Sequence, residues 1–263
     1  MIDLSNKNAL VTGASSGIGA AMARRLAKER CNLFLTGLGE TQLQHTKEIC
    51  EKEGVKVSFQ ECDFADFASI DALVETVKSS GFGIDLFVLN AGISQRDRGF
   101  ATDFAIDQKI MQVNYWSSVY LIKKFKDEIL ASKQVNISVT TSLAGLFGFP
   151  LRTSYCASKH ALFGFFESLD LEYPNIHVTF LIPGRINTPI SKSALMGNGD
   201  RYAKMDPGQA KGLDVDKAAA RAVKAIKKQK HRKLIGKGEL LMAYINRYIP
   251  WLYYKIANKI SPT

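Results

Sequence analysis

Tyr155 and Lys159 stand four positions apart in Tyr155-Cys156-Ala157-Ser158-Lys159, and Ser142 lies thirteen positions upstream. On a helix covering residues 153 to 171, that spacing puts both side chains on one face. The pairing matters because a free tyrosine, with a pKa of about 10, is a poor base at neutral pH. A neighbouring ammonium favours the phenolate and lowers that value. Ser142 closes the strand-like run Val135 to Thr141, where its hydroxyl can donate to a substrate oxygen. Such a set exchanges a proton with a carbonyl or an alcohol while a separate carrier moves a hydride. Tyr-x-x-x-Lys also occurs by chance on surface helices, so the rest of the chain must supply that carrier.

The carrier site is expected near the amino terminus. Asn8 to Thr12 is a short apolar run, followed at once by Gly13-Ala14-Ser15-Ser16-Gly17-Ile18-Gly19 and a helical pattern from Ile18 to about Glu29. In a strand–loop–helix context, glycines let the backbone approach a pyrophosphate, and the helix start offers unpaired N–H groups and a positive dipole end. Without such a ligand the same residues are a tight turn.

Alternation then continues. Strands are expected at Asn32–Thr36, Val55–Gln60, Ile84–Leu89, Val135–Thr141 and Ile176–Ile182. Helices are expected at Thr41–Glu53, Ser69–Ser80, about Asp103–Ala131, 153–171 and Asp216–Gln229. Strands alternating with helices of this length specify a doubly wound parallel α/β sheet with helices on both faces. Ligands in such sheets lie outside the carboxyl ends of the strands, where Gly13, Asp63 and Asn90 all fall.

The bulk composition fits one large domain. Hydrophobic residues are 46% and charged residues 23% of 263, a mix that can bury a substantial core. The four cysteines form no C-x-x-C pair, and the opening residues have no signal-peptide character, so reduced thiols and a cytoplasmic setting are expected. The four histidines are scattered without ligand spacing, so no metal site is expected. The net charge of +10 is uneven: 16 basic and 5 acidic residues follow from Lys192 onward, against 19 and 20 before it.

Thr12-Gly-x-x-x-Gly-Ile-Gly19, Asn90-Ala-Gly92, Asn114, Ser142, Tyr155-x-x-x-Lys159 and Pro183-Gly184 occur in the order and at about the spacings of the short-chain dehydrogenase/reductase family. The sequence resembles that family from roughly residue 5 to 235. The resemblance implies a Rossmann-type fold of about seven parallel strands, a nicotinamide cofactor, and a proton relay. Gly13, Ser15, Ser16, Gly17, Ile18 and Gly19 would hold the pyrophosphate, with Leu38 near the adenosine and Asp63 at the adenine. Asn90, Ala91 and Gly92 would flank the ribose, and Pro183, Gly184, Ile186 and Thr188 would surround the nicotinamide carboxamide. Lys159 would bond the nicotinamide ribose and depress the Tyr155 pKa. Tyr155 would be general acid in reduction and base in oxidation. Ser142 would orient the substrate oxygen, and Asn114 would hold a water leading to Lys159. Relatives commonly pair through their two long helices, which implies a homodimer or homotetramer. A dinucleotide-binding sensor on the same fold is the rival reading; the intact Ser142, Tyr155 and Lys159 set speaks against it.

Two departures from the family pattern bear on specificity. An acidic residue after the second strand selects NAD, and a basic one accommodates NADP. Thr36-Gly37-Leu38-Gly39 supplies neither. With no repelling carboxylate there, NADP(H) is favoured and NAD(H) remains possible, with Thr36, Ser15 and Thr41 as phosphate donors. Arg185 stands where relatives carry an apolar residue, either as a solvated charge or as a contact to an acidic substrate group.

Leu143, Phe147, Phe149, Leu151, Leu195 and Met196 are expected near the nicotinamide, with 189–212 as a mobile lid. That favours a lipophilic carbonyl or alcohol over the plainer reading of these residues as core. The chain divides into a catalytic domain, 1–238, and a basic amphipathic helical extension, 239–263. In the extension Leu240, Leu241, Tyr244, Tyr248, Leu252 and Ile256 recur at helical spacing and Pro250 breaks the run. This extension suits peripheral contact with an anionic membrane, a flap on the body, or a dimer contact. Nucleic acid is not an expected partner, since no base-reading motif accompanies the charge.

Overall fold

The computed structural model describes residues 1–257; Lys259, counted above in the basic tail, lies outside them. Seven parallel strands form one sheet in the order β3-β2-β1-β4-β5-β6-β7. Along the chain the elements are β1 (Asn8–Thr12), α1 (Gly17–Lys28), β2 (Asn32–Gly37), α2 (Glu40–Glu51), β3 (Val57–Glu61), α3 (Phe67–Ser79) and β4 (Leu86–Leu89). They continue with α4 (Phe104–Met111), α5 (Ser117–Lys124), α6 (Lys126–Ala131), β5 (Val135–Thr140), α7 (Thr153–Glu172), β6 (Ile176–Pro183), α8 (Pro207–Ala210), α9 (Val215–Lys227), β7 (Arg232–Ile235), α10 (Leu241–Tyr248) and α11 (Pro250–Ala257).

The central strands are apolar on both faces because helices cover both; every residue of β4 is buried. One face packs Leu10, Phe34, Phe87, Ile137 and Phe180 beneath α3, α5 and α7. The other packs Val11, Leu33, Leu35 and Val88 beneath α1 and α9. The order reverses at β1, whose neighbours are β2 and β4. A crevice opens there at the carboxyl ends of the strands.

One expectation is corrected. The helix expected over about Asp103–Ala131 is not one regular helix: a π-helical turn, Gln112–Trp116, separates α4 from α5, and Phe125 breaks the run before α6. Wide turns of this kind cluster at functional positions, and this one carries Asn114. In the extension, the expected stripe of Leu241, Tyr244 and Tyr248 faces outward, each more than half exposed. Leu240, Met242, Ala243 and Ile245 pack against the core instead, and Tyr253 is buried against Phe147 and donates to the Gly148 carbonyl. The break at Pro250 is as expected.

Candidate active site

At the end of β1 the backbone turns through Gly13, with φ +67, a left-handed conformation that glycine adopts without strain. Gly19 packs against this turn so closely that a Cβ on it would lie 2.2 Å from the Gly13 carbonyl oxygen and 2.5 Å from Asn90 Nδ2. Asn90 Nδ2 donates to the Thr12 carbonyl, while Thr12 Oγ1 accepts from the amides of Asn90 and Ala91. The ends of β1 and β4 are thus tied together beneath the loop. No side chain caps the N-terminus of α1, and no acid stands in its first turn, which leaves its amides to an anion.

Two cavities meet here. The first, about 480 Å³, runs from Gly13, Ser15, Ser16, Gly17, Ile18 and Leu38 past Asp63, Asn90, Ala91 and Gly92 to Lys159, Pro183 and Thr188. The second, about 630 Å³, is lined by Ser142, Leu143, Phe149, Gly184, Ile186 and Met242. Tyr155 lines both. The residues fit a nicotinamide dinucleotide: an open helix start, a loop with no room for a Cβ at Gly19, and a buried Thr140 hydroxyl on the cavity wall with no partner. Of the expected cofactor residues, Gly19 serves by packing, and Gly184 and Ile186 face the larger cavity.

The catalytic candidates converge, with differences from expectation. Lys159 Nζ donates to the Thr140 carbonyl at 2.9 Å, and burial lowers its pKa to about 8. It lies 5.9 Å from the centre of the Tyr155 ring. The Tyr155 pKa is raised, not depressed: burial outweighs the Ser142 hydrogen bond and the charges of Arg152 and Arg96, which act to lower it. Ser142 Oγ accepts from the Ala144 amide. Asn114 is buried, its Oδ1 accepting from the Ile93 amide and its Nδ2 donating to the Ile93 carbonyl and Ser158 Oγ. A Cβ on Gly92 would sit 3.0 Å from Asn114 Oδ1 and 3.4 Å from Lys159 Nζ, so the two side chains approach one point.

Other expectations shift. Phe147 is core, while Leu143 and Phe149 line the larger cavity and Leu195 the smaller. Met196 and Leu151 line neither cavity. Thr36 is fully buried and does not reach the cleft. The segment expected to be a mobile lid is held by bridges from Leu195 to Gln95 and Arg201 and by Asp206, which pairs with Arg96 at 2.6 Å and Arg152 at 3.2 Å. Arg96 and Asp206 were not legible as site residues; the available signal was an arginine in the run Ser94-Gln95-Arg96 just past a buried strand. Glu61 was missed too: its carboxylate accepts from the Gly39 amide at 2.6 Å, beyond the end of β2. Asp170, His177 and His231, scattered in sequence, gather with ligand atoms within 4.8 Å of one another at the far end of the sheet. There Asp170 pairs with His231 at 3.0 Å.

Comparison with known proteins agrees with this geometry. Residues 7–198 match the family model for short chain dehydrogenase. A "Dehydrogenase/reductase SDR family protein 7-like" of Anopheles gambiae is 34% identical over 99% of this chain and 86% of its own length. A short chain dehydrogenase/reductase from Burkholderia phymatum, solved with NAD, shares the fold with a TM-score of 0.82 at 22% identity, covering 100% of this chain and 98% of that one. An actinorhodin polyketide ketoreductase variant solved with NADPH has a TM-score of 0.68 at 31% identity, covering 73% of this chain and 76% of that one. A glycine loop over an uncapped helix, a tyrosine at the junction of two cavities and these matches lead to one conclusion: the chain belongs to the short-chain dehydrogenase/reductase family and is an NAD(P)-dependent oxidoreductase.

Proposed function

We propose that the protein interconverts a carbonyl and a secondary alcohol on a lipophilic substrate, with Tyr155 as general acid/base and NADP(H) as the preferred cofactor. The observation that carries this reading is the position of Tyr155 on the wall shared by the two cavities. The bound nicotinamide would supply or accept the hydride. In reduction Tyr155 Oη gives its proton to the nascent alkoxide, and Ser142 Oγ holds the same oxygen. The phenolate left behind is stabilised by the Ser142 hydroxyl and the charges of Arg152 and Arg96. Leu143, Phe149, Ile186 and Met242 line the larger cavity and suit an apolar substrate body. Tyr155→Phe should abolish turnover of carbonyls while NADPH binding, followed by cofactor fluorescence, persists. Undiminished turnover in that variant would sink the reading.

NADP(H) preference rests on the lack of an acid in Leu38-Gly39 after β2. NAD(H) is the second reading, favoured by the Glu61 carboxylate at the Gly39 amide. Comparing kcat/KM for the two cofactors in the wild type and in Glu61→Gln decides between them.

We further propose that 1–238 form the catalytic domain and 239–263 an extension whose described part, 239–257, is a flap with an outward membrane-binding face. Trp251, Tyr254, Tyr248 and Tyr244 are exposed there beside Arg247 and Lys255, a combination suited to an anionic lipid surface. No helix among the described residues is long and apolar enough to cross a membrane. Exposed Phe104, Trp116 and Leu171 support pairing of copies through the α4–α6 run and α7, which light scattering on the purified protein tests. Four buried free thiols suit a reducing compartment such as the cytoplasm.

A further inference from the structure

At the end of the sheet opposite the two cavities, three metal-ligating side chains meet from three separate elements. Asp170 stands in the last turn of α7, His177 is the second residue of β6, and His231 immediately precedes β7. One ligand atom from each lies within 4.8 Å of the other two. The two imidazole rings are centred 4.8 Å apart and tilted by 55°.

Two of these groups are already positioned. Strand β7 first pairs with β6 at Phe180, and just before that point the Val178 amide donates to Asp170 Oδ1 at 2.8 Å. Asp170 Oδ2 lies 3.0 Å from His231 Nδ1, in side chains that are 11% and 69% exposed. The third group is unsatisfied. His177 Nε2 is buried and has no hydrogen-bond partner among the described residues; the Gln229 backbone lies near the ring without meeting that nitrogen in hydrogen-bond geometry. A buried nitrogen left so is unfavourable. Burial lowers the His177 pKa against the Asp170 charge, which raises it, so near neutrality the ring is uncharged, the form that ligates a metal.

We propose that Asp170, His177 and His231 bind one divalent transition-metal ion, zinc foremost, which fastens the end of α7 to β6 and β7. Zinc accepts imidazole nitrogen and carboxylate oxygen at about 2.0–2.2 Å. Tetrahedral bonds of that length set ligand atoms about 3.3 Å apart, so the Asp170–His231 pair is already near its final spacing. The ion replaces the hydrogen between them, and the His231 ring proton moves to its other nitrogen. The widest separation has to close by at most about 1.5 Å, which the exposed His231 ring has room to supply. Water takes the fourth position on the solvent side. The Val178 amide then holds Oδ1 from behind while Oδ2 binds. Among the adjacent basic side chains, Arg232 is turned to Glu167, 2.7 Å away.

The test is calorimetric titration of the untagged full chain with zinc chloride and with magnesium chloride, read beside the melting temperature. Zinc should bind once per chain and about a hundredfold or more tighter than magnesium, because hard cations take imidazole poorly. At a hundredfold excess over its Kd it should raise Tm by about 5 °C. His177→Gln and His231→Gln should each weaken zinc binding by about tenfold or more, at least the loss that follows from removing a supporting partner of a ligand. His231 is mostly exposed, so its variant stays readable even if His177→Gln folds poorly. A wild type that takes up no zinc, or binds magnesium equally well, would overturn the proposal. Zinc affinity unchanged in His231→Gln would do the same, since it would place the ion elsewhere on the chain.

Discussion

The Lys159 ammonium lies beside the Tyr155 ring but spends its hydrogen bond on the Thr140 carbonyl, 2.9 Å away. The side chain is therefore a buried charge anchored to the end of β5, with a pKa lowered to about 8 by burial. Its folded-state value is below its unfolded one. The unfolded chain therefore binds more protons between those two pH values, and folding stability rises with pH across that window.

Lys159→Met should accordingly abolish turnover yet stabilise the cofactor-free protein. Removing the buried charge gains on the order of 2–3 kcal/mol, and orphaning the Thr140 carbonyl loses about half of that, for a net of about 1 kcal/mol at pH 7. The advantage should shrink as pH rises from about 8 toward 10.5. Urea unfolding at pH 7 and pH 9.5 measures both quantities; a variant less stable than the wild type at pH 7 contradicts the assignment.

The two reaction directions should differ in pH dependence. Burial raises the Tyr155 pKa from its ordinary value of 10.0, so the phenol is fully protonated around neutrality. As a proton donor it is ready, and reduction should be flat from about pH 6 to 8. As a base it must first ionise, and oxidation should climb through about pH 9 without levelling. Profiles of kcat/KM in both directions decide the matter; an oxidation plateau below about pH 8 would mean that the bound complex depresses the phenol after all.

Gly19→Ala should cost cofactor affinity more than fold. Its Cβ would meet the Gly13 carbonyl at 2.2 Å, forcing the loop away from the pyrophosphate position. NADPH affinity should fall at least about tenfold, the loss of one good charged hydrogen bond. Gly148→Ala, where a Cβ would meet nothing within 4 Å, should leave NADPH binding unaltered. Equilibrium titrations on both variants give the comparison.

The two faces of the carboxy-terminal helices should separate by mutation. Tyr253→Ala opens a hole beside Phe147 and should destabilise by about 3 kcal/mol. Trp251→Ser with Tyr254→Ser should leave stability within about 0.5 kcal/mol and weaken co-sedimentation with phosphatidylserine vesicles. Vesicle binding that survives the double substitution removes the membrane face from consideration.

The first six strands were readable from apolar residues closed by glycine or polar ones, whereas β7 (Arg232–Ile235), half of it basic, was not. Observed β2, β5 and β6 end within one residue of expectation. The nucleotide loop was readable because its glycines sit between such a run and a helix. Interactions between distant segments were not readable. Arg96 and Asp206 are 110 positions apart, and Glu61 finds Gly39 only through the pairing of β2 with β3. The raised Tyr155 pKa escaped for a related reason: spacing reports a nearby cation but not the burial that outweighs it.

The π turn at Gln112–Trp116 has one consequence for how this chain tolerates change. A wide turn fits one extra residue into the rod, and each residue added or removed rotates everything beyond by about 100°. Deleting a single amino acid there would tidy the helix and turn Asn114 away from Ile93 and Ser158. Length in this stretch is thus more tightly constrained than composition.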